Sequence, residues 1–495
     1  MAQYIYATTA RCCCSSARAH PAIPLQAPAP APSSSRSPLR WRSAMGASDR
    51  LAVAAARPRH AAPCAATVLG EPLPASDDHG LVHPSADFAA QALVSSPQQY
   101  LEMYQRSIDD PAGFWSEIAE TFYWKQKWSP EEVCNENLDV TKGPIKIEWF
   151  KGGKTNICHN AVDRYVEAGD GAKIAMYWEG NEPDQDGKLT YSELLDKVCQ
   201  LANYLKSVGV EKGDAVVIYL PMLMELPIAM LACARIGAVH SVVFAGFSAD
   251  AIAQRITDCK PKVVITCNAV KRGQKLIPLK DIVDASLVES AKNGVTVGIC
   301  LTYENQLAMK KEDTQWIAGR DVWWQDVVPN FPTRCDVEWV DAEDPLFLLY
   351  TSGSTGKPKG VLHTTGGYMV YAATTFKHAF DYKPTDIYWC TADCGWITGH
   401  SYVTYGPLLN GATVLVYEGA PNYPDPGRCW DIVDKYGVTI FYTAPTLIRS
   451  LMRDGSVEVW VSQLIQLHGG GSIMLSVIRD APYQTLGGRL KLVVL

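Results

Sequence analysis

From about Ile145 the chain alternates short apolar runs rich in valine and isoleucine with longer amphipathic stretches. Ala215–Tyr219, His240–Phe244 and Lys262–Thr266 have the length and β-branched content of buried strands. Thr190–Val208 and Glu225–Ile236 carry apolar residues at helical spacing. Alternation of this kind predicts parallel βαβ units and a layered α/β domain, and it continues through Asp386–Glu418 and Val438–Met452. Ahead of it, Pro97–Trp128 reads as a helical, aromatic-rich cap, with Tyr100, Tyr104, Phe114, Trp115, Phe122, Trp124 and Trp128 packing a small N-terminal element. Val216–Phe244 is apolar enough to suggest a membrane span, but Pro221, Glu225, Pro227, Arg235 and His240 interrupt it; strand, turn, buried helix, strand is the reading it supports.

Pro345–Tyr350 is a further apolar run, and it opens onto Thr351-Ser-Gly-Ser-Thr-Gly-Lys-Pro-Lys-Gly360. Gly353, Gly356 and Gly360 let the backbone turn tightly and approach a ligand. Consecutive N–H groups in such a turn form an anion-binding nest. Thr351, Ser352, Ser354 and Thr355 add hydroxyls, and Lys357 and Lys359 add charge. The combination suits a polyphosphate, held at a strand end as α/β folds hold ligands. A Walker loop requires Ser or Thr directly after Gly-Lys; here that position is Pro358, which argues against a P-loop kinase or ATPase.

Composition narrows the class. An apolar content of 47% with 20% charged residues is that of a globular protein, and a net charge of −7 with no basic stripe gives no footprint for nucleic acid. The first 48 residues contain no Asp or Glu, several arginines (Arg11, Arg18, Arg36, Arg40, Arg42) and much Ser, Ala and Pro. That is transit-peptide composition, with removal expected before about Asp77; plastid is the first destination and mitochondrion the second. Of the 15 cysteines, Cys12, Cys13 and Cys14 fall in this leader. The others are scattered without zinc or disulfide spacing and read as small buried apolar residues in a reducing compartment.

The glycine-rich loop resembles the phosphate loop of adenylate-forming enzymes. Gly152–Arg164, Tyr177-Trp-Glu-Gly-Asn-Glu-Pro183, Ala232–Phe244, Asp393–Pro407 and Tyr442-Thr-Ala-Pro-Thr446 are similar to the AMP-forming acetyl-CoA synthetase family, from roughly Tyr100 to Gly455. The resemblance implies a large layered N-terminal domain with parallel sheets, residues 1–78 being a leader, 79–150 a helical cap, 151–455 an AMP-binding domain and 456–495 a tail unlike the family. It implies acetate attack on the α-phosphate of ATP, then CoA attack on the acyl-adenylate, with Mg²⁺, ATP and CoA as cofactor and substrates and no membrane span. Carried over by position, Thr351, Ser352, Gly353, Ser354, Thr355, Gly356, Lys357 and Lys359 would grip ATP phosphates. Arg272, Gly273, Gln274 and Lys275 would hold the CoA nucleotide phosphates, with Gln274 departing from the family's second glycine. Thr398 and Asn422 match further CoA positions, and Ile397 with Thr398 part of an acetate pocket. His400 is open to reading as a general base or as a packed or capping histidine. No metal-ligand set and no catalytic residue is assigned.

After Asp454-Gly455 the family's continuation, with an adenine-binding Gly-Glu-Pro, an Asp-Thr-Trp-Trp-Gln-Thr block and a small C-terminal domain bearing the catalytic lysine, does not follow. Joining the third base of each codon with the first two of the next permits that sequence through every dipeptide from Val457 to Leu495, Gly-Glu-Pro and Asp-Thr-Trp-Trp-Gln-Thr in order. The expectation is a frame shift after Gly455, from a skipped or misassigned exon, leaving an apolar tail that does not complete the sheet and a chain with negligible acetyl-CoA synthesis. His468-Gly-Gly-Gly471, which resembles an oxyanion-hole string, receives no function. The functions in competition are acetate–CoA ligase, a propionate or other short-acyl ligase, and an inactive truncated isoform that binds nucleotide weakly or pairs with full-length subunits.

Overall fold

The computed structural model of the protein describes residues 86–351, 357–453, 476–478 and 490–494. The expected leader, the loop residues Ser352, Gly353, Ser354, Thr355 and Gly356, and His468–Gly471 lie outside the described residues.

Two prolines open the cap helices at a position where a missing N–H costs nothing. Helix α1 (Pro97–Asp109) is capped by Ser96, which accepts the Gln99 N–H, and α2 (Pro111–Ala119) by Asp110, which accepts the Gly113 N–H. The helical part of the cap stops at Ala119, short of the expected Trp128. The Trp124 indole donates back to the Ala119 carbonyl (2.9 Å), and Trp124 and Trp128 bury themselves against Phe150. β1 (Cys134–Asn137) pairs antiparallel with β2 (Lys146–Trp149), and β3 (Lys154–Thr155) leads into the main body.

There β4 (Ile174–Glu179) and β5 (Asp186–Thr190) form an antiparallel pair. Thr190 then starts α3 (Tyr191–Ser207) through a capping box with Glu193. β6 (Ala215–Tyr219), α4 (Glu225–Arg235), β7 (Val239–Val242), α5 (Ala249–Cys259) and β8 (Val263–Cys267) follow as the sequence pattern predicts. A hairpin of β9 (Val270–Arg272) and β10 (Lys275–Ile277) precedes α6 (Leu279–Lys292), β11 (Ile299–Tyr303) and β12 (Asp321–Trp323). After β13 (Val340–Asp341), β14 (Pro345–Thr351) returns as β15 (Lys359–Thr364) and enters α7 (Thr365–Ala379). β16 (Ile387–Cys390), β17 (Thr413–Tyr417), α8 (Arg428–Tyr436), β18 (Ile440–Thr443) and α9 (Pro445–Arg453) come next, then β19 (Ser476–Ile478) and β20 (Leu490–Val494).

Two seven-stranded sheets result. The first runs β12-β11-β8-β6-β7-β14-β15, parallel except for the final hairpin. The second runs β19-β20-β18-β16-β17-β4-β5, parallel except for its two outer pairs. The expectation that the apolar tail stays out of the sheet is corrected here: β20 lies parallel to β18, with the Lys491 N–H donating to the Thr439 carbonyl (2.8 Å). Its Leu-Lys-Leu-Val-Val sequence has strand-forming content, and Lys491 Nζ reaches the Asp381 carbonyl (2.7 Å) and carboxylate (3.2 Å).

His240, Phe347 and His363, on β7, β14 and β15 of the first sheet, stack with His400, Phe347 lying 4.4 Å from both His363 and His400. Most of the described cysteines are buried, and burial raises the Cys233 thiol to about 12. No described helix is long and apolar enough to cross a membrane.

Candidate functional site

The carboxyl ends of both sheets meet in one region. Asn305, just after β11, donates to Glu418, just after β17 (2.8 Å). Asn181, after β4, bonds Gly273 in the β9–β10 turn. Gly395, after β16, lies against the backbone of Phe244, after β7, so closely that a Cβ there would sit 2.7 Å from the Phe244 nitrogen. The phosphate-loop hairpin leaves β14 at the same edge. Convergence of strand ends from two parallel sheets is where this architecture binds ligands.

The base of that hairpin is firmly held. Thr351 pairs with Lys359 and Tyr350 with Gly360. The Tyr350 ring lies over Gly360, whose added Cβ would come within 3.2 Å of it. Tyr350 donates its hydroxyl to Asp258 on α5 (2.6 Å), and Arg255 stacks on both Tyr350 and Phe247. Thr351, Lys357 and Lys359 are exposed beyond this anchor, and neither lysine makes an ion pair with a described residue.

Arg272 and Lys275 are direct partners across the β9–β10 ribbon, which puts two like charges on one face. Such a pair is unfavourable by itself and favoured by an anion. Gly273 between them adopts φ +60, a left-handed conformation suited to glycine, and sits against the ring of Tyr423 (3.3 Å to an added Cβ). Asn422 is exposed in the Ala420–Tyr423 turn beside it. Ile397 and Thr398 lie half-buried in a single helical turn, four and five residues after Asp393. The expected CoA positions are thus gathered around one hairpin at Arg272, Gly273, Gln274, Lys275 and Asn422, with Thr398 reached through the Asp393 loop.

Two acidic side chains face Arg272. Burial pushes Glu418 up to about 8, against the opposing pull of the Asn305 hydrogen bond and the Arg272 charge. Burial also raises Asp393, whose Oδ2 has no hydrogen-bond partner among the described residues. His400 does not face this region as a base. It is fully buried, its Nδ1 lies 3.1 Å from the Trp396 carbonyl, and burial lowers it to about 4. The packed reading of this histidine is the one the geometry bears out.

Among the described residues no group of three or more His, Cys, Asp or Glu side chains could hold a metal.

A family model described as "AMP-binding enzyme" matches residues 164–493. The chain belongs to the AMP-binding enzyme family. A second model, "Acetyl-coenzyme A synthetase N-terminus", matches residues 100–161. The chain is 77% identical over 389 residues to the acetyl-coenzyme A synthetase, chloroplastic/glyoxysomal, of Arabidopsis thaliana, covering 79% of this chain and 52% of that protein. It is 50% identical over 404 residues to the acetyl-coenzyme A synthetase of Drosophila melanogaster (80% and 60%) and 51% identical over 386 residues to that of Magnetococcus marinus (78% and 58%). The chain thus spans about half the length of the curated relatives it matches. The AMP-binding match runs past Gly455, where the resemblance was expected to end, and reaches into β20.

The family likeness covers Tyr177–Pro183, Asp393–Pro407 and Ala420–Tyr423 but assigns no role to Asn181, Glu182, Asp393 or Tyr423, and Asn305 and Glu418 carry no signal from it. The signal available was polar residues immediately after apolar strand runs, such as Glu418 after Thr413–Tyr417 and Asn181 two residues after β4.

Proposed function

We propose that this AMP-binding enzyme serves acetate–CoA ligation: acetate and ATP give acetyl-adenylate and diphosphate, and CoA and acetyl-adenylate give acetyl-CoA and AMP. In the first step an acetate oxygen forms a bond to the α-phosphorus as the bridging bond to the β-phosphate breaks. In the second the CoA thiolate forms a bond to the acyl carbon as the bond to AMP breaks. Both steps place negative charge on oxygens, so fixed donors and cations supply most of the catalysis. Lys357 and Lys359 on the anchored hairpin meet the β- and γ-phosphates. Arg272 and Lys275 meet the phosphates of CoA. Ile397 and Thr398 form one wall of the acyl pocket.

The observation that carries this reading is the convergence of two separate cation pairs at the joined carboxyl ends of the sheets, one for each phosphate-bearing substrate. The match to acetyl-coenzyme A synthetase relatives supports acetate as the acyl group, and the name of the Arabidopsis protein, with the acid-free leader, supports a plastid address.

The test is calorimetry of the purified chain with ATP and with CoA, beside an assay of acetyl-CoA formation from acetate. Binding of both ligands is expected. Absence of ATP binding would overturn the reading, and turnover comparable to a full-length relative would overturn the expectation of negligible synthesis.

A further inference from the structure

Arg272 and Lys275 can act together only if the turn between them is held from outside, because their mutual repulsion favours splaying the ribbon. One side chain holds it. Asn181, almost fully buried, accepts the Gly273 N–H through Oδ1 (2.7 Å) and donates through Nδ2 to the Gly273 carbonyl (3.0 Å). The same Nδ2 donates to Glu182 Oε1 (2.9 Å). Glu182 in turn accepts the Tyr423 hydroxyl through both oxygens, each at 3.2 Å. The Tyr423 ring closes the circuit by lying against Gly273. The hairpin is a separate two-stranded ribbon that follows β8 of the first sheet, and the Ala420–Tyr423 turn follows β17 of the second. Asn181 and Glu182, which follow β4, join them.

An amide suits the position on electrostatic grounds. The Asn181 amide offers an acceptor to the N–H and a donor to the C=O of the same glycine without bringing a charge to the neighbouring guanidinium. A carboxylate at 181 would keep one bond, lose the other and draw Arg272 away from an incoming phosphate.

We propose that Asn181 and Glu182 are positioning residues for a nucleotide-phosphate subsite formed by Arg272, Lys275 and the Asn422 turn. Asn181 fixes the backbone so that both cations stand on one face, and Glu182 fixes Tyr423 so that the Asn422 turn closes on it. The proposal rests on the reading of Arg272 and Lys275 as CoA-phosphate contacts and extends it to the residues that make those contacts possible.

The experiment is a mutant cycle on the full chain, with CoA as the calorimetric probe and thermal unfolding as the control. Asn181→Ala is expected to weaken CoA binding about tenfold, the loss of two modest hydrogen bonds, and to have no further effect once Arg272→Ala and Lys275→Ala are present. Asn181→Asp is expected to weaken it at least as much. Unchanged CoA affinity in Asn181→Ala, or the same loss in the background lacking both cations, would overturn the proposal, the second result showing general support of the fold. Should Asn181→Ala not fold, Tyr423→Phe removes a single hydroxyl and is read in the same cycle, with a severalfold loss expected only when both cations are present. If replacing both cations leaves CoA binding intact, or the unaltered chain binds no CoA, the underlying reading falls and takes the proposal with it.

Discussion

Glu418 and His400 titrate in opposite senses, and their effects on stability overlap. Glu418 is raised from 4.5 to about 8 by burial. Below pH 4.5 it is protonated in both states and contributes nothing. Above that the unfolded chain loses its proton first, so stability falls by about 1.4 kcal/mol per pH unit until the folded group ionises near 8. His400 is lowered from 6.5 to about 4 by burial. Its stabilising effect is complete above 6.5 and is lost at a similar rate as pH falls toward 4. Between 4.5 and 6.5 the two slopes oppose each other. Glu418→Gln retains an acceptor for Asn305 and is expected to stabilise the protein at pH 8.5 by on the order of 3 kcal/mol, a gain that shrinks toward pH 5. His400→Phe keeps a ring against Phe347 and is expected to flatten the acid side below pH 6.5. Urea unfolding across pH checks both; a Glu418→Gln gain independent of pH would show that Glu418 is ionised throughout or that packing dominates. Neither residue's behaviour was legible in the sequence, because it follows from burial by elements far apart along the chain. His400 is a packed residue because β7 and β14, distant in sequence, place His240 and Phe347 against it.

Elements were far more legible. The capping box at Thr190, the β-branched runs of β6 and β8 and the Pro345 strand follow from local pattern, and the glycine-rich turn marked where β14 must end. What local pattern could not give is the pairing of β9 with β10, three residues each, too short for any periodicity to register. The β14–β15 hairpin yields a clean separation of binding from stability. Lys357 and Lys359 are exposed, so replacing both with Ala is expected to leave the unfolding temperature within about 1 °C, as surface changes do, while weakening ATP about tenfold or more through lost charge-assisted contacts. Gly360→Ala should do the reverse, since its methyl meets the Tyr350 ring at 3.2 Å: about 1–2 kcal/mol of stability lost, with the cations untouched. Equal losses of ATP affinity in the two variants would argue that the hairpin's shape, rather than its charge, holds the triphosphate.

At the scale of the molecule, Asp381 connects three distant stretches of chain. Its Oδ1 accepts the Leu93 N–H (2.7 Å) ahead of the cap and the Lys383 ammonium (2.7 Å), and its Oδ2 accepts Lys491 of β20 (3.2 Å). Burial opposes ionisation, but the hydrogen bonds from Lys383 and Leu93 and the charge of Lys491 prevail and hold the carboxyl below its usual value. Its backbone lies at φ +47, a conformation that Asp and Asn tolerate better than other non-glycine residues. Charge and backbone can therefore be separated by two substitutions. Asp381→Asn keeps an acceptor and the conformational tolerance but removes the carboxylate that Lys383 pairs with and leaves Lys491 the more distant Asp386 (4.0 Å); about 1–2 kcal/mol of stability should be lost at pH 7. Asp381→Ala adds the lost acceptors and the backbone strain, and about 3 kcal/mol is expected. Because the folded group titrates below its unfolded value of 3.8, its contribution is present above that pH and is lost as pH falls through the lower folded value. Hydrogen exchange locates the loss: Asp381→Asn should deprotect the backbone of β18, whose outer neighbour is β20, more than that of β6 in the other sheet. Uniform deprotection of both sheets would mean that Asp381 supports the fold as a whole and that the docking of β20 does not depend on its charge.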